Sequence, residues 1–298
     1  MFGSFDPRWS DARDRNADQE LDREIYHDSR ERGDDPRDPL LSHLDLPRGL
    51  ERELVLDRER GYELNGDDSR VLAAVGAFRV VPERDLDSRD EAPDWRNDSL
   101  AHLADEGLIR TVSLDGRDRG VTLTDRGRDL LEASRRARDD DRQQRFYAGV
   151  NRPRELNHDA QLYRVYERVE KQLRDEGAGV RRVVLEQDLK REYQSFLQEH
   201  NRDRPDSDGR PDRDPREIRQ WALEHELPYF DDRVHFPDFR IEYDLDGREG
   251  HRDVEVLTPH YRGAHADSRG RTGFTCVRVR TGGRSGRWVD PGVAEDLL

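Results

Sequence analysis

The stretch PDFRIEYDLDGREGHRDVEVLT, residues 237–258, limits what this chain can fold into more than any other segment. Phe239–Tyr243 and Val254–Leu257 are strand-forming runs, and the Asp244-Leu245-Asp246-Gly247 segment between them has turn chemistry. The spacing predicts a β-hairpin. In the second run, alternation sends Val254 and Val256 to one face and Asp253, Glu255 and Leu257 to the other. Valines facing a core leave the acids together, beside a partner strand that opens on its own acid, Asp238. Carboxylates on adjacent strands are the hard oxygen donors that Mg²⁺ prefers. An ion held there would activate water and stabilise charge on a phosphate. The same acids can instead pair with arginines such as Arg240 or Arg252, and the residues alone leave both options open.

Composition bears on where such a hairpin can find a core. Hydrophobic residues make up 32% of the 298-residue chain and charged residues 41%, with 23 glycines; counting glycine, the apolar share is roughly 40%, a deficit against the roughly 45–50% of globular chains. The deficit is uneven. Residues 1–50 are dominated by Asp, Arg, Glu and Pro without periodicity, so they are expected to form a solvated, disordered tail, with a short helix allowed near Asp18–Ser29. The net charge of −15 argues against a broad basic surface that coats nucleic acid unselectively. Lysine occurs only at Lys171 and Lys190, which leaves basic contacts to arginine. The single Cys276 excludes an internal disulfide framework and a multi-cysteine zinc site. No signal-like or membrane-spanning apolar run is present, and a cytoplasmic protein without membrane contact is expected.

From residue 51 to 140 the apolar pattern is helical and then strand-like. Asp68 or Ser69 is placed to cap a helix carrying Val71, Leu72, Val75 and Phe78, and Pro82 to begin a short second helix. Leu100, Leu103 and Ala104 mark a third helix that stops at Gly107. Strands then flank the polar tip DGRDRG, and Thr124 caps a helix running towards Arg138. This order, with LADEGLIRTVSLDGRDRGVTLTDRGRDLLE at its centre, resembles the winged helix-turn-helix of bacterial regulators. The resemblance implies contact with double-stranded DNA through Arg96, Asn97, Ser99 and His102 in the major groove, with Arg117 and Arg119 on the wing. Asp94, Asp98, Asp105 and Asp118 lie near that face, and docking to a protein is the other use of such a module.

Residues 141–298 read as a second, α/β domain. Leu162, Val165, Tyr166, Val169 and Leu173 form one helical stripe, and VRRVVLEQDLKREYQSFLQEH is a strand running into a helix. Asp214 caps PREIRQWALEH, the hairpin follows, a helix is expected from Thr258, and GFTCVRVR closes as a strand. This succession, with Pro237-Asp238 and Glu255, resembles the restriction-endonuclease-like PD-(D/E)xK fold. The resemblance implies a Mg²⁺- or Mn²⁺-dependent endonuclease with Asp238, Glu255 and Asp253 at the metal. The motif's lysine position holds Leu257, so Lys190 from a neighbouring helix is the candidate replacement, Glu192 or Glu186 a further ligand, and Arg262 a phosphate contact. His260 lies beside Arg262, and zinc at His251, His260 and His265 is disfavoured by spacing. The two-domain pairing resembles the replication-relaxation family of mobile elements and plasmids. That likeness implies DNA handling, with a second copy of the chain and replication or mobilisation proteins as further partners. The alternative is a transcriptional regulator or assembly factor whose nuclease-like domain is inactive.

Overall fold

The alternating runs form the centre of the largest sheet. Strands β9 (Phe239–Leu245) and β10 (Arg248–Leu257) pair antiparallel, and the hairpin extends beyond its apolar runs. Asp246 and Gly247 turn it with φ of 52° and 74°, two left-handed residues in succession, as a tight hairpin turn with the twist of its strands requires. Gly250 sits inside β10 because the Tyr243 ring lies 2.9 Å from where a Cβ would stand. The structure is a computed structural model that describes residues 35–58, 60–86, 96–114, 118–136, 143–150, 155–199, 213–257, 271–279 and 287–288.

The first half is built from α1 (Asp38–Leu41), the hairpin β1 (Glu53–Asp57) and β2 (Arg60–Leu64), α2 (Gly66–Phe78), β3 (Val81–Pro82) and α3 (Glu83–Leu86). It continues through α4 (Arg96–Asp105), β4 (Ile109–Ser113), β5 (Arg119–Leu123) and α5 (Asp125–Ala133). Strands β3, β5 and β4 make a small antiparallel sheet in that order. The second half is α6 (Leu156–Asp175), β6 (Gly179–Leu185), α7 (Glu186–Gln198), α8 (Pro215–Glu224), the short pair β7 (Tyr229–Phe230) and β8 (Arg233–Val234), then β9 and β10. It ends with β11 (Thr275–Arg278) and β12 (Arg287–Trp288). The large sheet has the order β12-β11-β10-β9-β6, and its one parallel pair is β10 with β11. Among the described residues the molecule is thus a mixed helix and sheet protein.

Period-two alternation gives the large sheet two faces. Val183 and Leu185 of β6, Phe239 and Ile241 of β9, and Val254 and Val256 of β10 join the main core under α6. Val184, between the first two, points the other way and packs with Leu189, Trp221, Ala222, Leu227 and Val234 beneath α7 and α8. The expected stripe on α6 is buried throughout. Asp214 caps α8 with a reciprocal bond to Glu217, and Thr124 caps α5.

Four expectations need correction. Residues 35–50 are not a solvated tail: Leu40, Leu41, Leu44 and Leu46 are buried, and α1 packs on both α2 and β6. Burying a leucine stabilises by about 1.5–3 kcal/mol, so clustered leucines offset the ordering cost that composition averaged over fifty residues made prohibitive. Residues 1–34, with the helix allowed near Asp18, lie outside the described residues. The cap of α2 is Asn65, in a reciprocal capping box with Asp68, rather than Asp68 or Ser69. The expected short second helix forms as α3, but it starts one residue later than expected, at Glu83, because Pro82 pairs with Gly120 in β3. Finally, α5 stops at Ala133: Leu44 bridges Arg135 and the Arg136 N–H donates to the His43 carbonyl, which draws the chain onto the N-terminal strap.

The apolar core crosses the boundary expected near residue 140. Phe78, at the end of α2, meets Tyr163 of α6 edge-on at 5.4 Å and Phe239 of β9 edge-on at 6.3 Å. Edge-to-face rings add about 0.5–1.5 kcal/mol beyond area burial, so this junction is a packed core rather than a loose contact.

Candidate functional site

Asp238 lies in the bend that follows the buried Pro237, one residue before β9. The Glu186 N–H donates to its carbonyl at 3.0 Å, and Leu185 and Val254 both pair with Phe239. Extended by one residue, that register would set Glu186, just past β6, and Glu255, inside β10, on either side of Asp238. The Asp238 carboxylate accepts from the Val256 N–H at 2.6 Å through Oδ2, and Oδ1 lies 3.2 Å from His158 Nε2. Its side chain therefore continues the sheet's own hydrogen bonding where backbone pairing runs out.

His158, in the first turn of α6, is a residue that sequence reasoning missed. Burial alone would lower its pKa, but the hydrogen bond and charge of Asp238, with Asp159 and Glu186 behind them, outweigh it and raise the pKa above the ordinary histidine value. Neighbouring Asp159 contacts Arg79 at 3.4 Å. The signal lay in Asn157-His158-Asp159, a polar triplet just before the apolar stripe of α6, but without β9 nothing connects it to Asp238.

The other expected site residues divide. Lys190 Nζ is 2.5 Å from Glu186 Oε1, one turn along α7, and so stands at the Asp238 end of the sheet. Glu192 is two residues further on, about 200° around the helix, and projects to the opposite side, near Asp188. Asp253 is held by Arg240 through bonds of 2.6 and 2.9 Å, with both side chains nearly buried. Arg240 also donates to the carbonyls of His225 and Glu226. Glu255, half-buried, stands opposite Cys276 in register. His251 contacts Glu226 at 3.2 Å. Arg262, His260 and His265 lie outside the described residues, as does the helix expected from Thr258.

In the first half, Arg96 and Asn97 occupy the first turn of α4, where their side chains are outside the description. Ser99 is 6% exposed, so it packs inward and is no groove contact in this arrangement. His102 Nε2 lies 2.7 Å from the Glu63 carbonyl of the β1–β2 hairpin, an element the sequence reading did not anticipate. Arg119 is 64% exposed and meets Glu83 at 2.6 Å, while Arg84 meets Asp118 at 2.8 Å. Arg117 is outside the described residues.

A divalent ion would ask Asp238, Glu255 and Asp253 for unengaged oxygens. Arg240 occupies Asp253, and the Val256 N–H and His158 occupy Asp238, so the set as arranged does not fit a metal. Among the described residues no group of three or more His, Cys, Asp or Glu side chains is gathered to hold one. No helix among them is long and apolar enough to cross a membrane. Comparison with protein-family models, with curated proteins and with solved structures finds no match.

Proposed function

We propose that this chain is a DNA-binding protein of a mobile element or plasmid, in which a winged helix-turn-helix is fused to a PD-(D/E)xK-like sheet that holds the strand without cutting it. The observation that carries this reading is the order of elements. Helices α2, α3 and α4 are followed by the β4–β5 hairpin, which closes on β3, and then by α5, the order of a winged helix. In the second half α6 precedes β6, β9 and β10 in antiparallel succession, with β11 parallel to β10 and Asp238 at the head of β9. Arg117, Arg119 and α4 would supply phosphate and groove contacts to double-stranded DNA. Arg119 would exchange Glu83 for phosphate, a small cost at an exposed pair. A second copy of the chain and replication or mobilisation proteins are the further partners of this reading.

Holding rather than cutting follows from the carboxylates, which are already engaged, Asp253 by Arg240 and Asp238 by the Val256 N–H and His158. The second reading is a Mg²⁺- or Mn²⁺-dependent endonuclease, favoured by the register that, extended by one residue, would set Glu186 and Glu255 on either side of Asp238, with Lys190 beside Glu186. Incubating the full chain with supercoiled plasmid and millimolar Mg²⁺ or Mn²⁺ separates the two. The proposal expects the plasmid to be retarded on a gel but to remain supercoiled. Nicking that disappears in Asp238→Asn would replace it with the endonuclease.

A further inference from the structure

We infer that Arg145 and Arg191, pinned together by the buried Asp188 carboxylate, form a phosphate-backbone clamp beside the Asp238 end of the sheet. It is a second DNA contact surface that the winged helix does not provide, and the inference rests on the DNA-binding reading above.

Asp188, in the first turn of α7, has a side chain only 3% exposed. Its Oδ1 accepts from Arg191 Nη1 at 2.8 Å and from Arg145 Nη1 at 3.5 Å, and its Oδ2 accepts from the Tyr147 hydroxyl. One carboxylate thus fixes two guanidinium groups from different parts of the chain. Arg145 and Arg191 are themselves 50% and 53% exposed. A guanidinium carries five N–H donors in a rigid fork, and each of these makes one contact with Asp188, so most of both forks faces solvent. Holding them in place in advance lowers the side-chain entropy lost when an anion is gripped. Two exposed guanidinium groups share one buried carboxylate, with Glu192 as a further acidic neighbour, so the forks that face solvent, rather than a net charge, are what an anion would meet.

The clamp is tied to the candidate site through direct contacts. The Arg79 guanidinium lies 5.2 Å over the Tyr147 ring and 3.4 Å from Asp159. Asp159 adjoins His158, which meets Asp238. On α7, Asp188 lies about 200° around the helix from Glu186, so the link to Asp238 runs through Tyr147, Arg79 and Asp159. The segment carrying Arg145 is fixed as well: Gln144, fully buried, bonds both the N–H and the carbonyl of Val183, and the Tyr147 N–H donates to the Gly76 carbonyl. Arg145 therefore follows α5 and the winged half while standing against α7. A phosphodiester backbone, with anionic oxygens at regular spacing and no demand for sequence, is the ligand that two fixed guanidiniums suit best.

The test is the salt dependence of full-chain binding to a duplex, read by fluorescence anisotropy, for wild type, Arg145→Gln, Arg191→Gln and the double Arg→Lys variant. Each glutamine variant leaves Asp188 one guanidinium and the Tyr147 hydroxyl, and circular dichroism melting checks that it folds. The inference expects each glutamine variant to flatten the slope of log K against log salt by about one, and to weaken binding about tenfold near 0.1 M salt. The lysine pair should recover most of the slope. Folded glutamine variants with wild-type affinity and slope would overturn the clamp and leave the DNA-binding reading standing. A wild-type chain that binds no duplex would overturn both. Equal losses of affinity for duplex and for poly-glutamate would instead assign the pair to an acidic protein partner and remove it from DNA.

Discussion

Asp238 is where the chemistry of this chain is decided. Its carboxylate accepts from the Val256 N–H and from His158, so its charge supports the fold. Asp238→Asn is therefore expected to destabilise the protein by about 1–3 kcal/mol, with millimolar Mg²⁺ leaving the melting temperature of both proteins unchanged in calorimetry. A metal site predicts the reverse: stabilisation by Mg²⁺ that the asparagine erases. His158 adds a pH dependence of known sign. Its folded pKa is raised, so the folded state binds the imidazolium proton more tightly than the unfolded state does. That stabilisation is complete below the unfolded value of about 6.5 and is lost as pH rises through the folded value. The gap in melting temperature between wild type and His158→Asn should be larger at pH 5.5 than at pH 8.5. Sequence made Asp238 and Glu255 visible because alternation and Pro237 mark them locally. His158, 80 residues from Asp238, could be seen only once α6 lay on the sheet, and nothing local told that Asp253 would belong to Arg240.

At the scale of elements, segments with strong period were legible and segments stabilised by distant partners were not. The hairpin, the stripe of α6 and the caps of α5 and α8 follow from residues within a few positions of one another. The N-terminal strap does not. Leu40, Leu41 and Leu44 are isolated among prolines and charges, and they are ordered by α2 and β6, elements that begin 22 or more residues away. The strap has its own polar anchors: Arg70 meets Asp38 at 2.6 Å, and the Tyr166 hydroxyl donates to the Pro36 carbonyl. Two truncations separate the strap from what precedes it. Removal of residues 1–34 should leave the melting temperature within about 2 °C of the full chain, whereas removal of residues 1–50 should lower it by about 10 °C or more, given several lost leucines. Equal melting of the two truncated proteins, followed by circular dichroism, would show that the strap contributes nothing.

Across the whole molecule, the continuous core joins the first half and the large sheet. Phe78, Tyr163, Tyr166 and Phe239 interlock where two separate domains were expected, and Gln144 stitches the intervening segment to β6. Thermal unfolding should accordingly be one cooperative transition. Phe78→Ala should cost about 3–5 kcal/mol and shift that transition without splitting it, and two resolved calorimetric peaks in the wild type would refute the shared core. Under the proposed DNA-binding reading, a shared core would let the two halves meet one duplex together, so the phosphates contacted by both would count together. The most direct measurement of the central claim is the affinity of the full chain for a duplex as salt is varied. The account predicts a linear fall of log K with log salt and a slope of about −4 or steeper, the sum of wing and sheet contacts. Absence of binding at low salt, or an affinity indifferent to salt, would contradict it.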